Sequence, residues 1–343
     1  MTPIELSRTV LRAVRCAVDE GELSVAVPER AVVTSPGPGG CGDYATNIAL
    51  QLARPAGRAP RQVAEILRTH LRGAAGVSEV AITGPGFLNI SLNREATQEV
   101  ARTLVSEILQ QGSQYGYGYG YGDEYGDSYG PDDTLAEQVI ALRVPHDTRA
   151  EALADTLVRI IATQGGRAEV HHSEPNEPVD LRPVPAPEDP APLGHDAARW
   201  ALLHPAPHDR PRITADHLVQ RESNPLFRVR YAYARTRALS RNAAALGFDS
   251  VPGDVSEAQD LLAPLAEYPR VLSAAATHRA PDRLARHLVT TADALLDFQH
   301  TVLPLGDEKP SAAHRARLAL AEAAGTVLAG GLSLLGISAP EHL

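Results

Sequence analysis

Apolar residues near the start of the chain follow a helical spacing, and two later stretches alternate between apolar and polar positions. Val77–Ile82 and Phe87–Leu92 alternate in this way, which predicts two strands joined by a turn at residues 84–86. Two helices are predicted from apolar faces, the first formed by Leu6, Val10, Ala13 and Ala17 and the second by Val63, Ile66, Leu67 and Leu71. Residues 1–111 therefore predict an α/β module.

The segment that begins at Gly42 is expected to turn into a further helix running through Leu50 and Leu52. Asp43 is expected to cap that helix, because aspartate accepts hydrogen bonds from the first backbone amides of a helix. In the second predicted strand, Phe87 and Asn89 lie two positions apart, so their side chains share one face.

The middle of the chain begins with a tract of low complexity, residues 112–133, built mainly of glycine, tyrosine and acidic residues. Such a composition buries too little apolar surface to offset chain entropy, so the tract is predicted to be a disordered linker. Stacking of its tyrosines on nucleic-acid bases is the alternative.

Residues 136–172 have the pattern of one small βαβ unit. Gln138–Val144 has the pattern of a strand, Thr148–Thr163 that of a helix, and Ala168–His172 that of a second strand. A proline-rich segment, Glu174–Pro192, follows and has too few apolar residues to add a layer to a core.

Residues 194–343 predict an all-α helical bundle. Asn224 precedes Pro225, which is the typical arrangement of a helix cap and first helical residue, and the helix is expected to end near Leu246. Further helices are predicted from Pro281 and from Ser311.

The net charge of −10 is concentrated in one part of the chain. Residues 113–200 contain 6 Arg and 16 Asp or Glu, so both flanking regions are neutral. This distribution argues against a general nucleic-acid binder, whose surface should be basic. The chain has no apolar run of membrane-spanning length, no signal pattern at its start and only two cysteines, which favours a cytoplasmic protein.

Three groups of residues, in this order along the chain, resemble arginyl-tRNA synthetases. The first is Gly42–Leu50 with Gly84–Asn89, the second is Asp196-Ala197-Ala198-Arg199, and the third runs from Asn224 to Arg235 and ends with Leu335–Leu343. The resemblance implies that residues 1–111 are an N-terminal domain that binds the D-loop of tRNA. It also implies that residues 194–343 are a DALR-type anticodon-binding domain.

Between these two regions the resemblance is incomplete. Family members carry a class I Rossmann catalytic domain of more than two hundred residues there, and residues 134–193 resemble a degenerate remnant of it. Pro145-His146-Asp147 stands in place of the His-x-Gly-His signature, and Lys309 is the only lysine of the chain. The chain is therefore most similar to truncated anticodon-binding proteins of the NrtL type, and no catalytic residue and no cofactor are predicted.

Seven residues are predicted to contact tRNA. By resemblance, Phe87 would stack on a D-loop base and Asn89 would bind its edge; the alternative is a buried Phe beside an Asn that stabilises a turn. Contacts to the anticodon or to phosphates are predicted for Arg228, Tyr231, Arg235, Arg237 and Leu343.

The predicted helix after Asn224 should bury a stripe formed by Phe227, Tyr231, Ala234 and Ala238, with arginines on both flanks. Only Glu222 is an acidic neighbour in sequence, so these arginines are expected to be mostly uncompensated. The alternative is a solvated flank without a ligand.

No metal site is predicted. His171 and His172 lie close to Glu174, but adjacent residues of a strand point to opposite sides, which disfavours a shared metal ion.

The leading hypothesis is a regulatory, tRNA-binding relative of arginyl-tRNA synthetase without catalysis, with arginine tRNA as its partner. Association with a full-length synthetase is left open. One alternative is an arginine–tRNA ligase, which would need ATP and an unusual core or one completed by a partner. The other is a protein-interaction scaffold that no longer binds RNA.

Overall fold

The computed structural model describes residues 3–34, 36–37, 39–112, 129–173 and 178–343. The chain divides into two compact units, Met1–Thr103 and Leu104–Leu343. The boundary falls inside one helix, α4, whereas the sequence interpretation placed it after residue 111. Most of the predicted linker, residues 113–128, lies outside the described residues, and so does Glu174.

The first unit combines helices with a four-stranded sheet. Its elements are α1 (Pro3–Asp19), β1 (Val33–Thr34), β2 (Tyr44–Thr46), α2 (Ile48–Ala53), α3 (Pro60–Arg72), β3 (Val77–Thr83), β4 (Phe87–Leu92) and the first part of α4 (Arg94–Gln111). The strands are antiparallel and lie in the order β1-β2-β4-β3. The predicted faces of α1 and α3 contribute Leu6, Val10, Val63, Leu67 and Leu71 to the buried core, which confirms the α/β module.

The segment after Gly42 differs from the prediction. Tyr44–Thr46 forms β2 rather than the start of a helix, and α2 begins only at Ile48. Asp43 does not cap a helix, because its Oδ2 accepts a hydrogen bond of 2.7 Å from the backbone N–H of Leu92 at the end of β4. The carboxylate therefore joins the start of one strand to the end of its neighbour.

The second unit begins with the predicted βαβ arrangement, which the structure confirms. β5 (Val139–Val144) and β6 (Arg167–His172) are parallel, with Val144 paired to His172, and α5 (Thr148–Ala162) connects them. Asp147 caps α5 by accepting hydrogen bonds from the backbone N–H groups of Arg149 and Ala150.

Arg149 joins the βαβ unit to the region that follows it. Its side chain is fully buried, and its guanidinium donates hydrogen bonds of 2.7–3.0 Å to five backbone carbonyls. These carbonyls belong to Val184, Leu202, Pro205, Ala206 and Asp209. Desolvation lowers the pKa of the Arg149 guanidinium from its ordinary value. The βαβ segment is therefore fixed to the helical region as one unit.

The C-terminal end of the predicted linker is packed. Tyr129 is buried, and its hydroxyl donates a hydrogen bond of 2.8 Å to the carbonyl of Leu265. The Tyr129 ring also stacks on Tyr268, with 6.3 Å between the ring centroids. The sequence prediction of disorder rested on the entropy cost of ordering the chain. At Tyr129, burial of the aromatic side chain offsets that cost.

The remaining elements are helical, as predicted. They are α6 (His195–Leu203), α7 (Pro225–Ala245), α8 (Gln259–Thr277), α9 (Asp282–Phe298) and α10 (Ala312–Leu334), with short 3-10 turns at Ala191–Leu193, Ala215–Leu218 and Gln299–Thr301. Asn224 and Ser311 cap α7 and α10 with their side chains, as expected. A side chain at Gly331 of α10 would collide with Leu288 of α9, so glycine permits these helices to approach closely.

The buried face of α7 matches the predicted one only in part. Its core residues are Leu226, Val229, Ala232, Leu239 and Ala243, whereas Tyr231 is 37% exposed. Of the predicted stripe, Ala234 is buried, whereas Phe227 and Tyr231 lie on the opposite side of the helix. Aromatic size suggested burial, but the aliphatic positions pack against α9 and α10.

None of the helices within the described ranges is both long enough and apolar enough to cross a lipid bilayer.

Candidate nucleic-acid interface

Phe87 stands at the start of β4 with 40% of its side chain exposed. The turn before it places Gly86 at φ 148°, and a Cβ there would lie 3.0 Å from the backbone of Pro60. Glycine therefore lets the turn pack against the start of α3, and this contact fixes the position of Phe87. An exposed aromatic ring on a rigid strand can stack on an unpaired base.

Asn89 lies two residues further along the same face but is only 2% exposed. Its Nδ2 donates a hydrogen bond of 2.7 Å to Thr83 Oγ1 on β3. A Cβ on Gly40 would lie 2.9 Å from Asn89 Oδ1, so the loop that contains Gly40 covers the amide. Of the predicted pair, Phe87 is therefore accessible in the free protein and Asn89 is covered.

The solvent-facing side of α7 carries an aromatic pair between two rows of arginine. With 3.6 residues per turn, Phe227 and Tyr231 lie opposite the buried face of the helix. Their rings stack with 5.5 Å between centroids and 20° between planes. Arg228 and Arg235 lie on one side of this pair, and the other side holds Arg230, Arg237 and Arg241.

The arginines have partners, contrary to the expectation from sequence. On the first side, Arg228 pairs with Asp293 of α9 at 3.3 Å, and Arg235 Nε donates a hydrogen bond of 2.7 Å to Gln299 Oε1. The carboxylate and the amide come from residues far along the chain, so inspection of the neighbouring sequence missed them. These contacts hold both arginines beside Tyr231.

On the second side, the arginines contact residues 335–343, which follow α10 and are called the C-terminal segment below. Arg237 Nε lies 3.2 Å from Glu341 Oε1, and both side chains are about half exposed. Arg241 lies 3.5 Å from His342 Nδ1. Exposed ion pairs contribute little net stability, so a phosphate can displace the Glu341 carboxylate at low cost.

The Asp196-Ala197-Ala198-Arg199 motif holds this C-terminal segment in place. Asp196 accepts hydrogen bonds from the backbone N–H and the hydroxyl of Ser338, while Arg199 Nε donates a bond of 2.8 Å to the carbonyl of Leu335. Partial burial opposes ionisation of Asp196, but the hydrogen bonds from Ser338 and His195 and the charge of Arg230 hold its pKa below the ordinary value. The motif therefore positions the residues that face α7.

A cleft of about 410 Å³ lies between α6, the start of α7 and the C-terminal segment. Its lining combines apolar and hydrogen-bonding side chains, among them Asp196, His217, Leu218, Phe227, Arg230 and Leu343. Leu343, a predicted contact, is half exposed at this cleft. A volume of this order suits a small planar group such as a nucleobase.

Several residues of this cleft were not singled out from sequence. His217 has no individual signal, because it approaches Leu343 only through the fold, whereas Arg230 was among the flank arginines considered for phosphate contact. Asp196 could have been found, since it belongs to the second motif quoted for the resemblance. Phe87 and Asn89 lie in the first unit and form a separate candidate surface.

The N-terminus of α5 is satisfied by the protein itself. Asp147 Oδ1 accepts hydrogen bonds of 3.1 Å and 3.0 Å from the N–H groups of Arg149 and Ala150. A helix N-terminus binds phosphate when its free amides and dipole face the ligand. At α5 a carboxylate already occupies that position and places negative charge where a nucleotide phosphate would bind.

Two family models match the chain. One is described as the arginyl tRNA synthetase N terminal domain and matches residues 8–92. The other is described as the DALR anticodon binding domain and matches residues 229–343. The first range contains Phe87 and Asn89, and the second contains most of α7 and the C-terminal segment.

Among curated proteins, the arginine–tRNA ligase of Frankia alni is 26% identical over 552 aligned positions that cover both chains completely. Since this chain has 343 residues, more than two hundred of those positions have no counterpart in it. The arginine–tRNA ligase of Pseudarthrobacter chlorophenolicus is 39% identical over 165 residues, which cover 44% of this chain and 30% of the ligase.

Among solved structures, the arginyl-tRNA synthetase of Thermus thermophilus aligns with a TM-score of 0.65 at 14% identity, with full coverage of both chains. The arginyl-tRNA synthetase of Plasmodium falciparum aligns with a TM-score of 0.64 at 9% identity, also with full coverage. These similarities concern the fold.

Proposed function

Because the chain belongs to the arginyl-tRNA synthetase family, we propose that it is a member without synthetase activity that binds tRNA. The first unit would meet the D-loop, and the second would meet the anticodon region. Arginine tRNA is the proposed partner, because the matched relatives are arginine–tRNA ligases. Within the family, the truncated NrtL type fits this combination best.

The main support for tRNA binding is the solvent-facing side of α7. Tyr231 and Phe227 form a stacked pair between arginines that are held by exposed or polar partners. Beside the pair lies the cleft that contains Arg230 and Leu343. Stacking surface, cationic groups and a base-sized cleft are the features that single-stranded loops of RNA require.

The remnant of the catalytic region supports the absence of aminoacylation. Asp147 fills the N-terminus of α5, where the family signature would hold ATP phosphates. The chain also lacks the His-x-Gly-His signature, and its single lysine lies in the helical region. A single βαβ unit does not form the crevice at a strand-order switch point where doubly wound folds bind nucleotides.

The test is direct binding of arginine tRNA and of a non-arginine tRNA at stated salt concentrations. Tyr231→Ala and Phe87→Ala should each weaken binding about fivefold or more, because stacking is worth about 1–3 kcal/mol per base. Leu305→Ala is the matched control, since Leu305 is 74% exposed outside both candidate surfaces. Absence of tRNA binding by the unaltered chain would contradict the proposal and favour an interaction scaffold.

A regulatory role, a cytoplasmic location and association with a full-length synthetase are extensions of this proposal. A tRNA-binding chain without ligase activity can act by competing for tRNA or by delivering it. Co-purification with the synthetase, with and without tRNA, separates these two modes.

A further inference from the structure

Three side chains with metal-binding atoms converge at the carboxyl end of the β5–β6 pair, apart from the surfaces assigned to tRNA. His146 follows β5, His172 ends β6, and Glu151 lies in the first turn of α5. One ring nitrogen of each histidine and one carboxylate oxygen lie within 4.8 Å of one another. His172 Nε2 lies 3.3 Å from Glu151 Oε1.

The backbone positions of the three residues are fixed by regular structure. His172 is paired with Val144 in the parallel ladder, so the ends of β5 and β6 stay in register. Asp147 caps α5, and its carbonyl accepts a hydrogen bond of 2.9 Å from the N–H of Glu151. The site is thus preformed in the backbone, while its exposed side chains can adjust.

The donor set determines the class of ion. Two imidazoles and one carboxylate suit zinc with a fourth position left open, whereas magnesium and calcium prefer sites made of oxygen. Zinc with bonds of about 2.0–2.1 Å in tetrahedral geometry separates its ligand atoms by about 3.4 Å. His172 and Glu151 already have this spacing, and the nitrogen of His146 lies within 4.8 Å of both ligand atoms.

The two imidazole rings are stacked, and an imidazole nitrogen binds a metal in the plane of its ring, so one exposed ring must rotate before both nitrogens face the same ion. The rings of His146 and His172 are parallel within 1°, and their centroids are 4.4 Å apart. We propose that His146, Glu151 and His172 form a site for a divalent transition-metal ion of the zinc class. One coordination position of the ion would remain open to water or to a ligand.

The structure also supplies matched controls. His171 is adjacent to His172 on β6 but is not one of the converging residues, which accords with the alternation of a strand. A second cluster, Glu20, Glu22 and His70, offers only one nitrogen donor. The chain has thirteen histidines, and isolated surface histidines also bind metal weakly. The control variants separate that weak binding from binding at the proposed site.

The experiment is a titration of the untagged full chain with Co²⁺, followed by visible absorption, and then competition with Zn²⁺. We expect one Co²⁺ per chain in a site of low coordination number, displaced by Zn²⁺. His146→Ala, His172→Ala and Glu151→Gln should each weaken binding about tenfold or more. His171→Ala and His70→Ala should leave the affinity unchanged within about twofold.

Two results would overturn the proposal. One is that the unaltered chain binds no Co²⁺ or Zn²⁺ by absorption and calorimetry at micromolar concentration. The other is that His171→Ala weakens binding as much as His172→Ala does. The three ligands are exposed, so circular dichroism without metal should show the same unfolding transition for every variant, and Glu151→Gln retains the size of the side chain it replaces.

Discussion

At the residue scale, Thr83 decides how much of Asn89 a nucleotide can reach. The Thr83 hydroxyl accepts a hydrogen bond from the Asn89 amide, and the loop at Gly40 covers the opposite side of that amide. If Asn89 reads a base, then this hydrogen bond must open when tRNA binds. Phe87 needs no such change, because its ring is already exposed.

The first prediction concerns base choice. Asn89→Ala should weaken binding several-fold for a tRNA with the preferred D-loop base, since a neutral hydrogen bond contributes about 1 kcal/mol. It should have little effect on a tRNA in which that base is changed. Thr83→Val, which frees the Asn89 amide, should preserve the discrimination. Equal weakening of both tRNAs by Asn89→Ala, measured by filter binding, would show that the residue is structural.

The second prediction concerns His204, which is partly buried and stacks on Trp200 with 5.0 Å between ring centroids. Desolvation, with smaller contributions from Arg286, His217 and Arg228, lowers the pKa of His204 to about 4. The unfolded chain, with a histidine pKa of about 6.5, binds more protons between these values. The contribution of neutral His204 to the unfolding free energy is therefore fully present above about pH 6.5 and is lost as the pH falls toward 4.

The measurement is chemical unfolding of the full chain at pH 7.5 and pH 5. The unaltered chain should lose about 2 kcal/mol more unfolding free energy between these pH values than His204→Phe, which keeps an aromatic ring on Trp200. The comparison with the variant removes contributions from other groups, such as His287, whose pKa is also lowered, mainly by desolvation. Equal pH dependence in both proteins would rule out a neutral buried His204.

At the scale of elements, α7 and the C-terminal segment form one surface with opposing charges. Glu341 pairs with Arg237, which is proposed to contact an RNA phosphate. The two half-exposed side chains should therefore have opposite effects on RNA binding. This relation follows from the fold, because the two residues are more than one hundred positions apart in sequence.

The third prediction uses that pair. Arg237→Ala should weaken both arginine and non-arginine tRNAs alike and make the salt dependence shallower by about one ion. Glu341→Gln should strengthen binding, because it removes a competing carboxylate. Arg270→Ala is the matched control, since Arg270 is an exposed arginine of α8 paired with Glu267. If both changes at the pair weaken binding, the ion pair itself shapes the interface.

Some features of the fold were predictable from sequence, and others were not. Caps at Asn224 and Ser311 and the strand at Phe87–Leu92 were predictable, because they depend on local chemistry and periodicity. The partners of Arg228 and Arg237 were not, because Asp293 and Glu341 approach only in the folded chain. The burial of Asn89 was missed for the same reason, since a loop more than forty residues earlier covers it.

At the scale of the whole molecule, the βαβ unit is packed into the helical region as part of the second compact unit. Five carbonyls surround the Arg149 guanidinium, and Asp155 bridges Arg159 and Arg199. Arg159 and Arg199 also donate to the carbonyls of Leu334 and Leu335 at the end of α10. The βαβ unit thus supports the C-terminal segment through these hydrogen bonds.

The fourth prediction concerns catalysis. The purified chain should show no ATP–pyrophosphate exchange with arginine, either with or without tRNA, because Asp147 fills the helix N-terminus that would hold phosphate. Asp147→Gly should still leave exchange at background, because the His-x-Gly-His signature remains absent. It should lower stability by only a few tenths of a kcal/mol, the usual cost of replacing a cap by glycine. Exchange above background in the unaltered chain would support the ligase alternative.

The place of Leu343 at the rim of the cleft has a practical consequence for recombinant work. A purification tag fused after Leu343 would start beside Arg230 and Phe227 and could occupy the space proposed for a base. A polyhistidine tag there would also add strong ligands for zinc and cobalt and obscure any binding at His146 and His172. Protein for RNA and metal measurements should therefore carry a cleavable tag before α1.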